Sequence, residues 1–266
     1  AMHPQLLGFL RELRAALAPS GRLLTQAIPG DDERWPVAAY AGANDRIFLM
    51  LYDEHDPSDP PGPLASDSWF RRHLDRVLAE VPAQKVIATI GQYGYDWSDT
   101  AESASEMTFQ DVMQAARDHQ LHPTFDSLAL NPRFSWQDSS GVSHIVWALD
   151  GPTAYNQLRL AEGRGVAGVG VWRLGSEDPS LWSILGRGGV ATDPSPLDTI
   201  RISYDVDFQG SGEILQMVAE PTYGRRTLAR DSSSGLVTNE QVTAYPSTYV
   251  IRRTGLTKGG FYFHFD

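Results

Sequence analysis

Residues 48–56 read FLMLYDEHD. Four apolar residues run directly into Tyr52, Asp53, Glu54, His55 and Asp56. Taken back to Ile47, the continuous apolar run 47–52 has the pattern of a strand buried on both faces, as in a parallel sheet. The ionisable cluster then lies just past the strand's C-terminal end. Parallel α/β sheets collect their functional groups at that end.

The rest of the chain extends the same rhythm. Residues 4–17 place Leu6, Leu7, Leu10, Leu13 and Leu17 on one helical face, and Pro19, Ser20 and Gly21 end that helix. Residues 22–28 read as a strand stopped by Pro29 and Gly30, and 35–44 as a short helix or loop. Pro, Gly and Ser make 57–66 a loop. An amphipathic helix follows over 68–81 with Trp69, Phe70, Leu74, Val77 and Leu78 inward, then a strand over 85–90 leading into GQYGYDW. The rhythm breaks over 98–150, which reads as an inserted α+β lobe. That lobe holds a helix at 109–118 opened by a Thr108/Asp111 capping box, and strands near 133–137 and 143–149. A helix at 153–163, a strand at 167–172 and a helix at 178–186 resume the alternation. Four apolar strands alternating with helices predict a parallel sheet, either doubly wound or of the (β/α)8 barrel type. Residues 191–266 alternate strand and turn and read as a small β module, with a boundary near 190–198.

Bulk properties narrow the function. With 266 residues, 41% hydrophobic and 21% charged, the chain is of ordinary globular composition. A net charge of -11 provides no basic surface for phosphates, so a nucleic-acid partner is not expected. There is no cysteine, which excludes disulfides, thiolate metal sites and a cysteine nucleophile. No apolar run approaches the roughly 18 residues of a membrane helix. No Gly-rich phosphate loop follows a strand, which argues against a nucleotide site or a phosphate-utilising barrel. Asp53, His55 and Asp56 match no metal-ligand spacing, so neither a metal nor another cofactor is expected.

Four stretches, in order, carry a resemblance. Met50-Leu51-Tyr52-Asp53 resembles the M-x-Y-D strand end of family-18 glycoside hydrolases, the chitinase-like barrels. RLLTQAIP at 22–29 is similar to their fifth strand, GQYGYDW at 91–97 to the loop after the seventh, and GVGVWRLGSEDP at 168–179 to the eighth. The resemblance covers about residues 4–187 and implies an α/β fold of the (β/α)8 TIM-barrel type, represented by strands 5–8 with the α+β insertion. Residues 143–150, SHIVWALD, look like the insertion of spore-cortex and peptidoglycan-acting members. What it implies for the site is an N-acetylated glycan. Tyr52 and Asp53 would be the catalytic-site residues, Tyr52 on the acetamido group and Asp53 on the same sugar. Met50 would pack beneath the acetamido methyl, Trp172 would floor the sugar, and Tyr93, Tyr95, Trp97, Trp147 and Gln26 would line the cleft.

The chain also departs from that family. The catalytic signature D-x-x-D-x-D-x-E, whose last residue is the general acid, is absent from the sequence. The expectation is a slice of a longer chain, with AMHPQ a cloning remnant, and no glycosidase activity of its own. A half-barrel would expose two sheet edges, so the missing N-terminal half-barrel or a second copy of the chain is the expected partner. Residues 260–266, GFYFHFD, are similar to the strand entering the T-F-D-D-G-P motif of polysaccharide deacetylases, with Asp266 inert here. This implies a bacterial fusion with a deacetylase, a membrane-associated parent and an extracytoplasmic location. The competing expectation is a non-catalytic carbohydrate-binding or scaffolding module.

Overall fold

The computed structural model describes residues 2–185 and, beyond them, the short segments 204–207, 216–219, 226–230, 236–242 and 249–252. The boundary read near 190–198 and the 260–266 segment lie outside the described residues.

Helix α1 (Met2–Leu17) precedes β1 (Thr25–Pro29), and α2 (Val37–Ala43) leads into β2 (Arg46–Met50). Helix α3 (Asp67–Leu78) precedes β3 (Val86–Gly91). After the insertion come α5 (Gly151–Glu162), β9 (Gly168–Trp172) and α6 (Leu181–Leu185). The four strands form one parallel sheet in the order β1-β2-β3-β9. This is sequential barrel-type winding, and the doubly wound alternative falls away. Strands β1 and β9 are its outer members and pair no further among the described residues.

Alternation along the strands separates two faces. Ile28, Ile47, Leu49, Leu51 and Ile90 are fully buried in one apolar cluster with Val37 and Ala41 of α2, Phe70, Leu74 and Val77 of α3, and Leu158 and Ala161 of α5. Each such aliphatic contributes about 1.5–3 kcal/mol on burial. On the inner face the register aligns Ala27, Phe48, Ile87 and Gly168 in one row and Pro29, Met50, Thr89 and Gly170 in the next. Phe48 and Met50 are only half-buried there.

The insertion is a five-stranded antiparallel sheet of order β5-β4-β8-β7-β6. It contains β4 (Gly94–Ser98), β5 (Ser105–Met107), β6 (Thr124–Phe125), β7 (Pro132–Gln137) and β8 (Ser143–Ala148). Helix α4 (Phe109–Asp118) covers one of its faces through Val112 and Ala116, packed on Phe134, Val146 and Ala148. Both arms of the Thr108/Asp111 capping box are formed. The sheet begins at Gly94, inside the segment that the sequence reads as a loop.

Among the tail segments, β10 (Tyr204–Asp207), β11 (Gln216–Ala219) and β14 (Tyr249–Arg252) form an antiparallel sheet. Strands β12 (Arg226–Arg230) and β13 (Val237–Val242) form an antiparallel pair.

Two substitutions test which elements hold the sheet. Leu49→Ala removes a fully buried strand residue and should cost about 2–5 kcal/mol by urea denaturation. Thr108→Ala removes a cap and should cost about 1 kcal/mol. Equal costs would contradict the sheet-centred core.

Candidate sugar-binding site

The site is built where β2 ends. Leu51 N–H still donates to the Thr89 carbonyl at 3.0 Å, so the chain stays registered one residue past Met50. Asp53 then takes φ 64°, a left-handed conformation that few residues other than glycine adopt and that Asp tolerates better than most. The turn carries its carboxylate to the insertion. There Oδ1 accepts hydrogen bonds from Tyr93 Oη at 2.5 Å and Tyr95 Oη at 2.9 Å. Burial first, and then the neighbouring Asp53 charge, hold both phenols well above their ordinary ionisation range. They therefore remain donors.

This junction requires glycine at position 91. A Cβ there would come within 2.7 Å of both Leu149 Cδ1 and Tyr93 Cε1, and within 3.1 Å of Tyr52 Cβ. Across that gap Tyr52 meets Tyr93 edge-on, with centroids 6.1 Å apart at 88°. Tyr93 to Tyr95 and Tyr95 to Trp97 continue the chain of rings at 5.2 and 5.6 Å. Trp97 Nε1–H donates to the Asp59 carbonyl at 2.8 Å. Trp147 lies opposite Tyr95 in the ladder, with the Arg133 guanidinium 5.2 Å over its ring.

These placements alter the expected roles. Tyr93, Tyr95, Trp97 and Trp147 are at most 7% exposed. Their faces are packed in the main apolar cluster, so they support the site from beneath and are not open platforms. Trp172 is 50% exposed, paired in register with Gly91 at the end of β9. Met50 lies on the inner face beside Thr89, whose Oγ1 is buried and has no partner among the described residues. Gln26 is two residues from Ile28 and pairs with Ile47, so strand alternation turns it to the helix side. Its Oε1 accepts from Asn44 Nδ2 at 3.2 Å, away from Tyr52 and Trp172.

The acids after Asp53 shape a loop. Glu54 accepts from Ser66 N–H at 2.6 Å and Ser66 Oγ at 3.1 Å, while Glu54 N–H donates to the Leu64 carbonyl. Ser66 is also the N-cap of α3, so Glu54 is a clamp between the turn after β2 and the start of that helix. Asp56 accepts from Ser58, and the His55 ring contacts the Pro60 carbonyl. Among the described residues no group of three His, Cys, Asp or Glu side chains could hold a metal.

One pair at the rim went unread in the sequence. Arg173 binds Glu106 at 2.9 Å, beside Trp172 and across the ladder from Tyr95. Its one signal was the cation directly after the strand-end tryptophan. Below it, Phe109 N–H donates to the Ser176 carbonyl and Ser176 Oγ to the Gln92 carbonyl, fastening the loop after β9 to the insertion.

An exposed indole, a turned carboxylate and two phenols thus lie along the C-terminal edge of the β2-β3-β9 sheet. The sequence profile described as Glycosyl hydrolases family 18 matches residues 3–178, more than half of the chain. The chain belongs to glycoside hydrolase family 18. Relatives within the family include the uncharacterized glycosylase YvbX of Bacillus subtilis, 31% identical over 164 residues, which are 59% of this chain and 47% of YvbX. The cortical fragment-lytic enzyme of Bacillus subtilis is 26% identical over 65% of this chain and 41% of its own length. The crystal structure of a chitinase from Chromobacterium violaceum superimposes with TM-score 0.62 at 26% identity, covering 66% of this chain and 58% of that one. The chain thus spans about half the length of the curated family members it matches. The fold is that of part of a family-18 barrel, with the antiparallel insertion beside the parallel sheet.

The raised phenol values have a checkable sign. Above the ordinary tyrosine value of 10.0 the unfolded chain releases protons that native Tyr93 and Tyr95 retain. Stability should therefore fall as pH rises past that value. The fall should be shallower in Tyr93→Phe/Tyr95→Phe when denaturation is followed against pH.

Proposed function

We propose that this chain supplies the sugar-gripping wall of a family-18 glycosidase site for an N-acetylated polysaccharide of the chitin or peptidoglycan type. The observation that carries this reading is that Tyr52 and Asp53 follow β2 and open Trp172 ends β9 at the C-terminal edge of one parallel sheet, on either side of Gly91 of β3. An exposed indole offers an apolar face to the C–H side of a sugar ring, and the polar groups beside it fix orientation. In this family the substrate's acetamido oxygen attacks the anomeric carbon while an acid protonates the leaving oxygen, a substrate-assisted route. The sequence contains no D-x-x-D-x-D-x-E. A general acid contributes roughly 10²–10⁴ in rate, so this chain alone binds and does not hydrolyse. The open edges at β1 and β9 and the half-buried inner face support a second part of the proposal. A complementary strand-and-helix half-barrel closes the sheet and brings the acid, whereas a second copy of the chain would cover the face without bringing it. A glycan of this kind puts the working site outside the cytoplasmic membrane.

The absent signature favours a second reading, a non-catalytic module that positions glycan for another enzyme. Adding a complementary half-barrel separates the two, because hydrolysis then appears only under the first.

Titration calorimetry with chitin tetramer and with soluble peptidoglycan fragments should detect binding, weakened roughly tenfold in Trp172→Ala. No binding of either glycan would sink both readings. Sugar release should not exceed that of a Tyr52→Phe control; release above it would show that this chain holds its own acid. In sedimentation the chain should associate, and a well-behaved monomer would contradict the open-sheet argument.

A further inference from the structure

The Asp53 carboxylate is held on one side only. Its Oδ1 takes hydrogens from both Tyr93 and Tyr95, at 2.5 and 2.9 Å. No group among the described residues donates to Oδ2. A carboxylate oxygen has about two lone-pair sites, so two phenols fill Oδ1. Both phenols are on rings that cannot swing away. Tyr93 is 2% and Tyr95 7% exposed; the two rings pack tilted against each other, and each meets one further aromatic ring edge-on, Tyr52 and Trp97 respectively. The carboxylate itself is aimed by a left-handed backbone turn, so its direction does not depend on side-chain freedom alone.

We propose that Tyr93 and Tyr95 are positioning residues that occupy Asp53 Oδ1 and present Oδ2 to the ligand as a fixed acceptor. The subsite then takes a glycan donor, a hydroxyl or an amide N–H. It disfavours an anionic substituent, which would meet an acceptor oxygen where it needs a donor. The inference rests on the glycan-binding reading and adds to it which kind of sugar group Asp53 receives and what holds Asp53 ready.

The logic gives an unusual signature in an asparagine variant. In Asp53→Asn the two phenols donate to the amide oxygen and so turn the amide NH2 toward the ligand. Donor then meets donor. With the phenol hydroxyls removed, the amide is free to flip and offer its oxygen. A merely structural role for the tyrosines would make the losses accumulate; pinning makes one substitution relieve the other.

The test is calorimetric binding of chitin tetramer to the full 266-residue chain, with thermal melting to confirm that each variant is folded. Asp53→Asn should weaken binding roughly tenfold, the scale of a hydrogen bond to a charged group. Adding Tyr93→Phe and Tyr95→Phe to Asp53→Asn should recover affinity to within about threefold of Tyr93→Phe/Tyr95→Phe alone, because the flipped amide restores the acceptor. If the triple variant binds no better than Asp53→Asn, the positioning role is overturned while the glycan reading stands. If the unaltered chain binds neither the tetramer nor soluble peptidoglycan fragments, the glycan reading falls and this inference with it; if it binds only the fragments, the same variants are compared on those. Should the double tyrosine change prevent folding, Tyr95→Phe alone is combined with Asp53→Asn. Partial relief supports the proposal and no relief overturns it.

Discussion

The parallel pairing of β2 with β3 is the constraint from which the site hangs. Its register sets Met50 against Thr89 and carries on through the Leu51 hydrogen bond. That places Tyr52 against Gly91, and β3 in turn places Gly91 against Trp172. A slip of one residue would turn every side chain of β2 to the opposite face. Leu49 and Leu51 would then face the inner side of the sheet, and Met50 and Tyr52 would press into the helices. The fully buried aliphatics on the helix side make such a slip prohibitive, so the apolar core fixes the polar geometry above it.

The second constraint is the seam between the two sheets. The parallel sheet ends in Gly91, and within three residues the chain enters the antiparallel sheet at Gly94. Gly94 is as crowded as Gly91, since a Cβ there would lie 2.7 Å from Val112 Cγ2. Between them Gln92 N–H donates to the Trp172 carbonyl, and Leu149 N–H to that of Tyr93. The insertion is therefore rooted in the strand ends themselves, and its tyrosines can reach Asp53 on the neighbouring strand.

Much of this was legible in the chain. Continuous apolar runs marked β2, β3 and β9 because a doubly covered parallel strand needs them. The Thr108/Asp111 spacing marked the start of α4 because that contact is local. Strand β1 starts at Thr25, later than the reading from Arg22, because Arg22 and Leu23 are exposed at the turn before it. Strand β4 was hidden. GYDWS has no clean alternation, its partner β8 is almost fifty residues away, and its nearer partner β5 is only 3 residues long, too short to read as a strand. The strand pattern also placed Tyr52, Asp53 and Trp172 at the C-terminal edge of the sheet, where they lie. The burial of Tyr93, Tyr95 and Trp97 was not readable, since an aromatic ring becomes platform or core according to what folds over it. Here the loop of residues 54–66 does so, anchored to Trp97 through Asp59. Asp53's left-handed turn likewise leaves no mark in an Asp codeable for many conformations.

That same loop has an entropic consequence. It contains Pro57, Pro60, Pro61 and Pro63, and its turns are closed internally by Glu54 with Ser66, Asp56 with Ser58, and His55 with Pro60. Four fixed φ angles shrink the range of shapes open to the unfolded segment, so little conformational freedom is left to lose when it folds. The loop's own hydrogen bonds leave few turns for a ligand to order. A sugar chain meeting it would not have to order it, and more of the contact energy would be retained as affinity.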